Sequence, residues 1–190
     1  IGRGELGQIL HVEGNFSSSS GLTYRPGMWR ADPTESPAGG MTGLGIHVID
    51  AFVHLCGPIT SVRALSTRQI VDTALDDTTA VLMTFKAGSC GYLGTLITTA
   101  SLWRLQVFGT KGWAHMRGPD TMDVCFVNEP PVTRTYTPID IERAELDAFA
   151  QAVAGGPAYP VPIDEAVHGV AVLEAVTQSA AGAARPVTVT

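Results

Sequence analysis

The 190-residue chain is short of charge, of cysteine and of long apolar runs, and each shortage excludes something. Charged residues are only 16% of it, and 12 Lys and Arg against 18 Asp and Glu leave a net charge of −6. That balance provides no basic footprint for a nucleic-acid partner. The longest apolar stretches are broken by His, Asp or Gly within about a dozen residues, short of the ~20 that a membrane helix needs. Cys56, Cys90 and Cys125 are widely spaced and form no C-x-x-C, which reads as buried reduced thiols rather than disulfides or zinc ligands. A soluble, cytoplasmic protein is therefore expected. Also missing are a G-x-G-x-x-G after a strand, a G-x-x-x-x-G-K-[ST], a G-x-S-x-G and an H-E-x-x-H, so no phosphate cradle or hydrolase elbow is encoded. The opening residues, IGRGELGQIL, contain neither an initiator Met nor a signal-type segment, and a segment upstream of them is expected.

What is present suits one domain: hydrophobic residues make up 45% of the chain, enough for a sizeable core. Residues 6–16, LGQILHVEGNF, alternate as a strand does, and SSSSG with RPG reads as a mobile surface loop. A helix is expected after Gly39-Gly40, with Leu44, Val48, Ala51, Phe52 and Leu55 on its apolar side and Cys-Gly-Pro at 56–58 as its stop. From 59 to about 137 come short β-rich runs parted by turn signals, the pattern of an antiparallel meander with one sheet face left free. Leu146, Phe149, Ala150 and Val153 mark a second helix. A third opens at Asp164 as its N-cap and carries Ala166, Val170, Leu173, Val176 and Ala180 on its apolar side before RPVTVT forms a last strand. Val81, Met83, Phe85, Tyr92, Leu96, Leu102 and Leu105 are more apolar side chains than one core face needs, so the free face is expected to pair with a second copy of the chain.

The polar stripe on the first helix is the informative feature. His47, Asp50 and His54 stand at i, i+3 and i+7 on one side. At ~1.5 Å of rise per residue the two histidines are roughly 10 Å apart along the axis, so one metal ion cannot take all three side chains. His47 and Asp50, one turn apart, can form a pair in which the carboxylate fixes the imidazole tautomer, the alternative being a satisfied histidine beside a surface aspartate. His54 reads as structural. Gly43 and Gly45 fall within the first turn, where each costs about 1 kcal/mol relative to Ala, so they suggest that a ligand approaches the backbone closely.

The stretch WRADPTESPAGGMTGLGIHVIDAFVHLCGPI, residues 29–59, resembles the signature of the C-terminal domain of the glucose-fructose oxidoreductase / inositol dehydrogenase (Gfo/Idh/MocA) family. GELGQILHVEG, FKAGSCGYLGTLITT, LQVFGTKGWAHM and residues 145–187 resemble further parts of that domain in the same order, so the likeness covers almost the whole chain. It implies an α+β fold like the C-terminal domain of glyceraldehyde-3-phosphate dehydrogenase, with a large, mostly antiparallel, mixed sheet, open on one face and covered by helices on the other. It also implies that residues 1–190 are the single substrate-binding and oligomerisation domain of an NAD(P)-dependent oxidoreductase. The N-terminal Rossmann domain, with the glycine fingerprint and the family's Glu-Lys-Pro lysine, lies outside this chain. Lys86 and Lys111 sit in turn-like contexts, and neither is that lysine.

Gly39, Gly40, Gly45, His47 and Asp50 match the family pattern, whereas Gly43 stands where many members place an aspartate, four residues before the histidine. The resemblance thus implies His47 and Asp50 as catalytic residues and Trp29, Arg30 and Gly43 as substrate-binding ones. With that aspartate gone, His47 serves alone or with the lysine of the other domain. Hydride would pass between nicotinamide, NAD or NADP, and a small polyol, sugar or cyclic alcohol or ketone. Two other readings stand beside this one: a non-catalytic ligand-binding or dimerisation module that has lost its acid, and a lyase or isomerase without nicotinamide. Because the pyrophosphate-binding helix N-terminus is not in these residues, the chain by itself is expected to bind no NADH. Titration of NADH fluorescence checks this, and saturable micromolar binding would overturn the two-domain reading.

Overall fold

The computed structural model describes all 190 residues. Strand β1 (Ile9–Ser17) is followed by two short 3-10 turns at Ser20–Thr23 and Trp29–Ala31, a π-helical turn at Met41–Gly45, and helix α1 (Ile46–Cys56). Seven strands follow without a helix between them: β2 (Ile59–Thr67), β3 (Thr78–Phe85), β4 (Cys90–Leu96), β5 (Leu102–Gly109), β6 (Gly112–Met116), β7 (Thr121–Phe126) and β8 (Val132–Thr135). Helices α2 (Ile141–Val153) and α3 (Ile163–Ala181) and the short strand β9 (Val187–Thr188) complete the chain. All nine strands join one sheet in the order β8-β7-β6-β5-β1-β4-β3-β2-β9.

The sheet is mixed and open, as expected, but the meander is not continuous. β4 and β5 are consecutive in sequence yet do not pair, because β1 lies between them, parallel to β4 and antiparallel to β5. Alternation along the strands then sorts the side chains. Val12, Val62, Val81, Met83, Phe85, Leu93, Leu105 and Val107 point to one face, where they form the core with Val48, Ile49, Phe52 and Val53 of α1 and Val172 and Val176 of α3. Four of the seven apolar residues expected to overload the sheet therefore belong to that core, and only Tyr92, Leu96 and Leu102 turn to the open face. Leu65 and Leu82 join them there. The open face is apolar in patches around a charged centre of Glu13, Arg104 and Asp123.

The helices depart from expectation in their ends and faces. Ile49 and Val53 are buried with Val48 and Phe52, while Ala51 and Leu55 pack half-buried against the same core, and Gly57 at φ +81° ends α1 as the Cys-Gly-Pro signal foretold. α3 starts two residues early: Pro162 is its N-cap, and Asp164 sits in the first turn, where its charge favours the positive end of the helix. Its buried side is Gly169, Val172, Ala175, Val176 and Ser179, so Val170 faces out. α2 is capped by Asp140, whose carboxylate accepts the Arg143 amide at 3.0 Å, but none of its residues is buried. Leu146, Phe149 and Val153 are 69%, 57% and 73% exposed, so only α1 and α3 cover the sheet. Among the thiols Cys56 and Cys125 are partly buried, while Cys90 is exposed, contrary to the reading of three buried cysteines.

The ten residues between β2 and β3 form a loop built around one acid. Asp77 is 1% exposed. Its Oδ2 accepts the amides of Ile70 at 2.6 Å, Gln69 at 2.9 Å and Val71 at 3.2 Å, and its Oδ1 accepts the Thr78 hydroxyl at 3.1 Å. Burial pushes this carboxyl up, but the three amides and the hydroxyl outweigh it and hold the group below its ordinary value. A depressed acid contributes stability that is complete above its unfolded value and is lost as pH falls through the folded one. Asp77→Ala is accordingly expected to cost about 3 kcal/mol at pH 7, where it orphans three amides. In urea unfolding the gap from the parent chain should narrow below the ordinary aspartate value of 3.8; a gap that widens on acidification would show that the carboxylate is not what holds the loop.

Candidate functional site

The loop that Asp77 organises supports the turn leading into α1. Ala38 and Gly39 both adopt left-handed backbone, at φ +54° and +57°, a conformation that costs an ordinary residue about 1–2 kcal/mol. The Thr79 hydroxyl holds the Ala38 carbonyl at 2.9 Å. The Asp76 carbonyl packs so closely against Gly39 that any Cβ there would overlap it. The chain then enters a π-helical turn, an arrangement often found at functional sites. Gly40 lies against Ile97, where a Cβ would come within 2.8 Å of a methyl group.

The two glycines of this turn have different reasons. Gly45 faces inward, and a Cβ would overlap the sulfur of Met41, which is fully buried, so packing within the chain demands it. Gly43 faces outward, with no atom within 4 Å of where its Cβ would stand. The close approach inferred for both glycines thus has room only at Gly43.

Gly43 and Leu44 form part of the wall of a cleft of about 610 Å³ that also takes in Trp29, Arg30, Ser18 and Ser20. Trp29 is 62% exposed, and the Arg30 guanidinium lies over its ring, 4.5 Å from the centroid, which holds the arginine at the cleft without a carboxylate partner. On another wall the hydroxyls of Ser18 and Ser20 are 2.9 Å apart, and the Tyr24 hydroxyl donates to that of Ser20 at 3.4 Å. This rim comes from the SSSSG stretch. Where the composition suggests a mobile surface loop, residues 20–23 form a 3-10 turn in which Gly21 is buried against Ile97.

His47 lies one turn beyond Gly43 on the same side of the helix and is exposed, its ring 6.1 Å from that of Phe16. It does not line the cleft itself but stands at its Gly43 end. No hydrogen bond or ion pair joins it to Asp50, so the pair that the spacing allows is not formed. Asp50 is half-buried and acts toward Tyr159, where it adds to a larger effect. The Tyr159 phenol is pushed up first by donating to Glu145 at 3.1 Å, then by burial and by the charges of Glu145 and Asp50. His54 has a structural partner, Glu165 of α3, at 3.3 Å. Trp29, Arg30 and Gly43 are therefore brought together, His47 is set beside them, and Asp50 is not joined to it. The hydroxyl rim was missed because four serines in a row look like a linker until a buried glycine pins them.

The family model for the GFO/IDH/MocA C-terminal domain matches residues 1–115, a span that includes the cleft and His47. No curated protein matches the chain. Among solved structures, a protein of Desulfitobacterium hafniense named an NADPH-dependent oxidoreductase is 25% identical, with a TM-score of 0.91 over 100% of this chain and 59% of its own. Levoglucosan dehydrogenase in complex with NADH and levoglucosan is 21% identical, with a TM-score of 0.85 over 100% of this chain and 60% of its own. Aldose-aldose oxidoreductase of Caulobacter crescentus, complexed with glycerol, is 21% identical, with a TM-score of 0.83 over 98% of this chain and 57% of its own. The last two likenesses are of fold. The chain spans less than two thirds of the length of each of these proteins.

Proposed function

The chain belongs to the GFO/IDH/MocA C-terminal domain family, and from that membership we propose that it is the substrate-binding and oligomerisation domain of a cytoplasmic NAD(P)-dependent oxidoreductase. A Rossmann domain outside these residues completes the enzyme. The substrate is a small polyol, sugar or cyclic alcohol or ketone. The observation that carries this reading is the cleft: an exposed indole and a guanidinium on one wall, a row of hydroxyls on another, and a free imidazole at the end. Ser18, Ser20 and Tyr24 offer both donors and acceptors, as a polyhydroxylated ligand requires, and Trp29 gives its apolar ring face a platform. Two of the solved relatives carry levoglucosan and glycerol, molecules of this class.

Gly43 leaves its outer side bare, which suits the edge of a flat ring, while nothing in the chain cradles a pyrophosphate. When bound, nicotinamide supplies the hydride acceptor or donor. The chain's own part is the proton. Exposed and unpaired, His47 is free to take the substrate's hydroxyl proton as the C–H bond is broken, and to return it in reduction. Arg30 orients the substrate's oxygens. Gly43, standing where the family resemblance places an aspartate in many members, leaves this work to the imidazole alone within these residues.

That missing carboxylate, with the unformed His47–Asp50 pair, favours one alternative, a non-catalytic ligand-binding or dimerising member. In the complete oxidoreductase His47→Ala should lower kcat by about 10²–10⁴-fold with an unchanged melting temperature; an unchanged kcat would overturn the catalytic reading and leave the alternative. The open sheet face, with Leu65 and Leu82 60% and 58% exposed, is proposed to pair two chains in a dimer or tetramer. Light scattering at micromolar concentration should give at least twice the 20.0 kDa chain mass. Leu82→Arg should reduce it to the single chain, and a parent chain that is already monomeric would sink the proposal.

A further inference from the structure

The cleft holds an imbalance of charge that a neutral sugar leaves unanswered. The chain as a whole carries 18 Asp and Glu against 12 Lys and Arg, yet no carboxylate lines the cleft, and Arg30 is the only charged side chain on its walls. The arginine–carboxylate pairs of the chain involve Arg3, Arg104, Arg117 and Arg143, not Arg30. What holds the Arg30 guanidinium is the Trp29 ring, 4.5 Å away at its centroid. A guanidinium stacked on an aromatic face keeps its N–H edge free, and that edge can grip a carboxylate with two parallel hydrogen bonds.

The local backbone maintains this imbalance. Arg30 lies in the short turn Trp29–Ala31, which is closed by the Ala31 amide donating to the Met28 carbonyl at 2.9 Å and anchored by Ala31, itself buried. The next acid along the chain, Asp32, is engaged elsewhere: its Oδ1 accepts both the amide and the hydroxyl of Thr34 at 2.8 Å. Gly43 contributes no charge, and the space beyond it is open. A neutral ligand filling the cleft would strip water from Arg30 and return only neutral hydrogen bonds, whereas a carboxylate on the ligand supplies the missing counter-charge. A single cation matches a single negative charge. A phosphate, with about −1.5 to −2 at neutral pH, would be left partly unneutralised.

Building on the substrate-binding reading above, we propose that the substrate is a polyhydroxy acid, a sugar acid whose carboxylate docks on Arg30 while its hydroxyls meet Ser18, Ser20 and Tyr24. The charged anchor fixes one point of the ligand. The directional hydroxyl contacts then decide which carbon is presented toward His47.

The test is calorimetric titration of the complete oxidoreductase with two matched pairs, gluconate against glucitol and glucuronate against glucose, in which a carboxylate replaces one CH2OH group and every other hydroxyl is kept. Each acid should bind about 10-fold more tightly than its neutral partner, the gain from one charge-assisted pair. The ratio should narrow as sodium chloride is added. Arg30→Gln should abolish the ratio, and Arg30→Lys should keep only part of it, because the charge stays but the fork is lost. Acids and neutral partners that bind alike would overturn the carboxylate and leave the substrate-binding reading standing, whereas no binding of any of the four would remove both. A ratio that survives Arg30→Gln in a variant with the parent circular dichroism spectrum, or glucose 6-phosphate bound more tightly than glucuronate, would also overturn the proposal.

Discussion

Three backbone amides, from Gln69, Ile70 and Val71, converge on a single oxygen of Asp77, and the cleft depends on this interaction although Asp77 never touches it. A buried carboxylate without partners would be expelled or protonated; with three amides and a hydroxyl it stays charged and fixes a ten-residue loop. The fixed loop presents the Asp76 carbonyl to Gly39 and Leu75 to the cleft. The same residue's own backbone joins strand ends, its amide donating to Thr67 and its carbonyl accepting from Ile97. Ile97 in turn packs on Gly21 and Gly40, so both the hydroxyl rim and the helix entrance rest on neighbours of one acid.

The turn from Met41 to Gly45 shows how packing and exposure divide a short segment. Met41 is fully buried and needs its sulfur beside Gly45, which excludes any side chain there. Gly43, two residues earlier, meets nothing, and its bareness is a property of the surface rather than of the core. His47 follows on that same outer side and Val48 on the inner one, so a single residue step separates a core residue at 0% exposure from the imidazole proposed to carry protons.

Much of this was legible in the sequence because it depends on local period and on short motifs. The alternation of β1 and β3, the stop at Gly57 and the glycine pair at 39 and 40 need no distant partner to be recognised. What could not be read depends on which strands become neighbours. The insertion of β1 between β4 and β5 decides that His11 meets Cys90, and no spacing along the chain reports it. The same holds for Asp77, which in sequence is one of two adjacent aspartates in a turn. Helical spacing gave Leu146, Phe149 and Val153 a common side, correctly, but period alone does not say whether that side is covered, and here it is not.

The placement of β1 has a consequence for how the chain reaches this state. β2, β3, β4 and β9 form one antiparallel ribbon and β5 to β8 another, and β1 supplies every ladder hydrogen bond between them. Within each ribbon most strands pair with their sequence neighbours, so the hairpins close at small entropic cost. β1, by contrast, must find partners 79 and 91 residues away, as the His11–Cys90 and Glu13–Arg104 contacts record. Loop closure of that span comes late and slowly in a folding chain. The earliest strand of this sheet in the chain is thus the last to find its place, and until it does the two ribbons are separate bodies with their inner edges open to pairing.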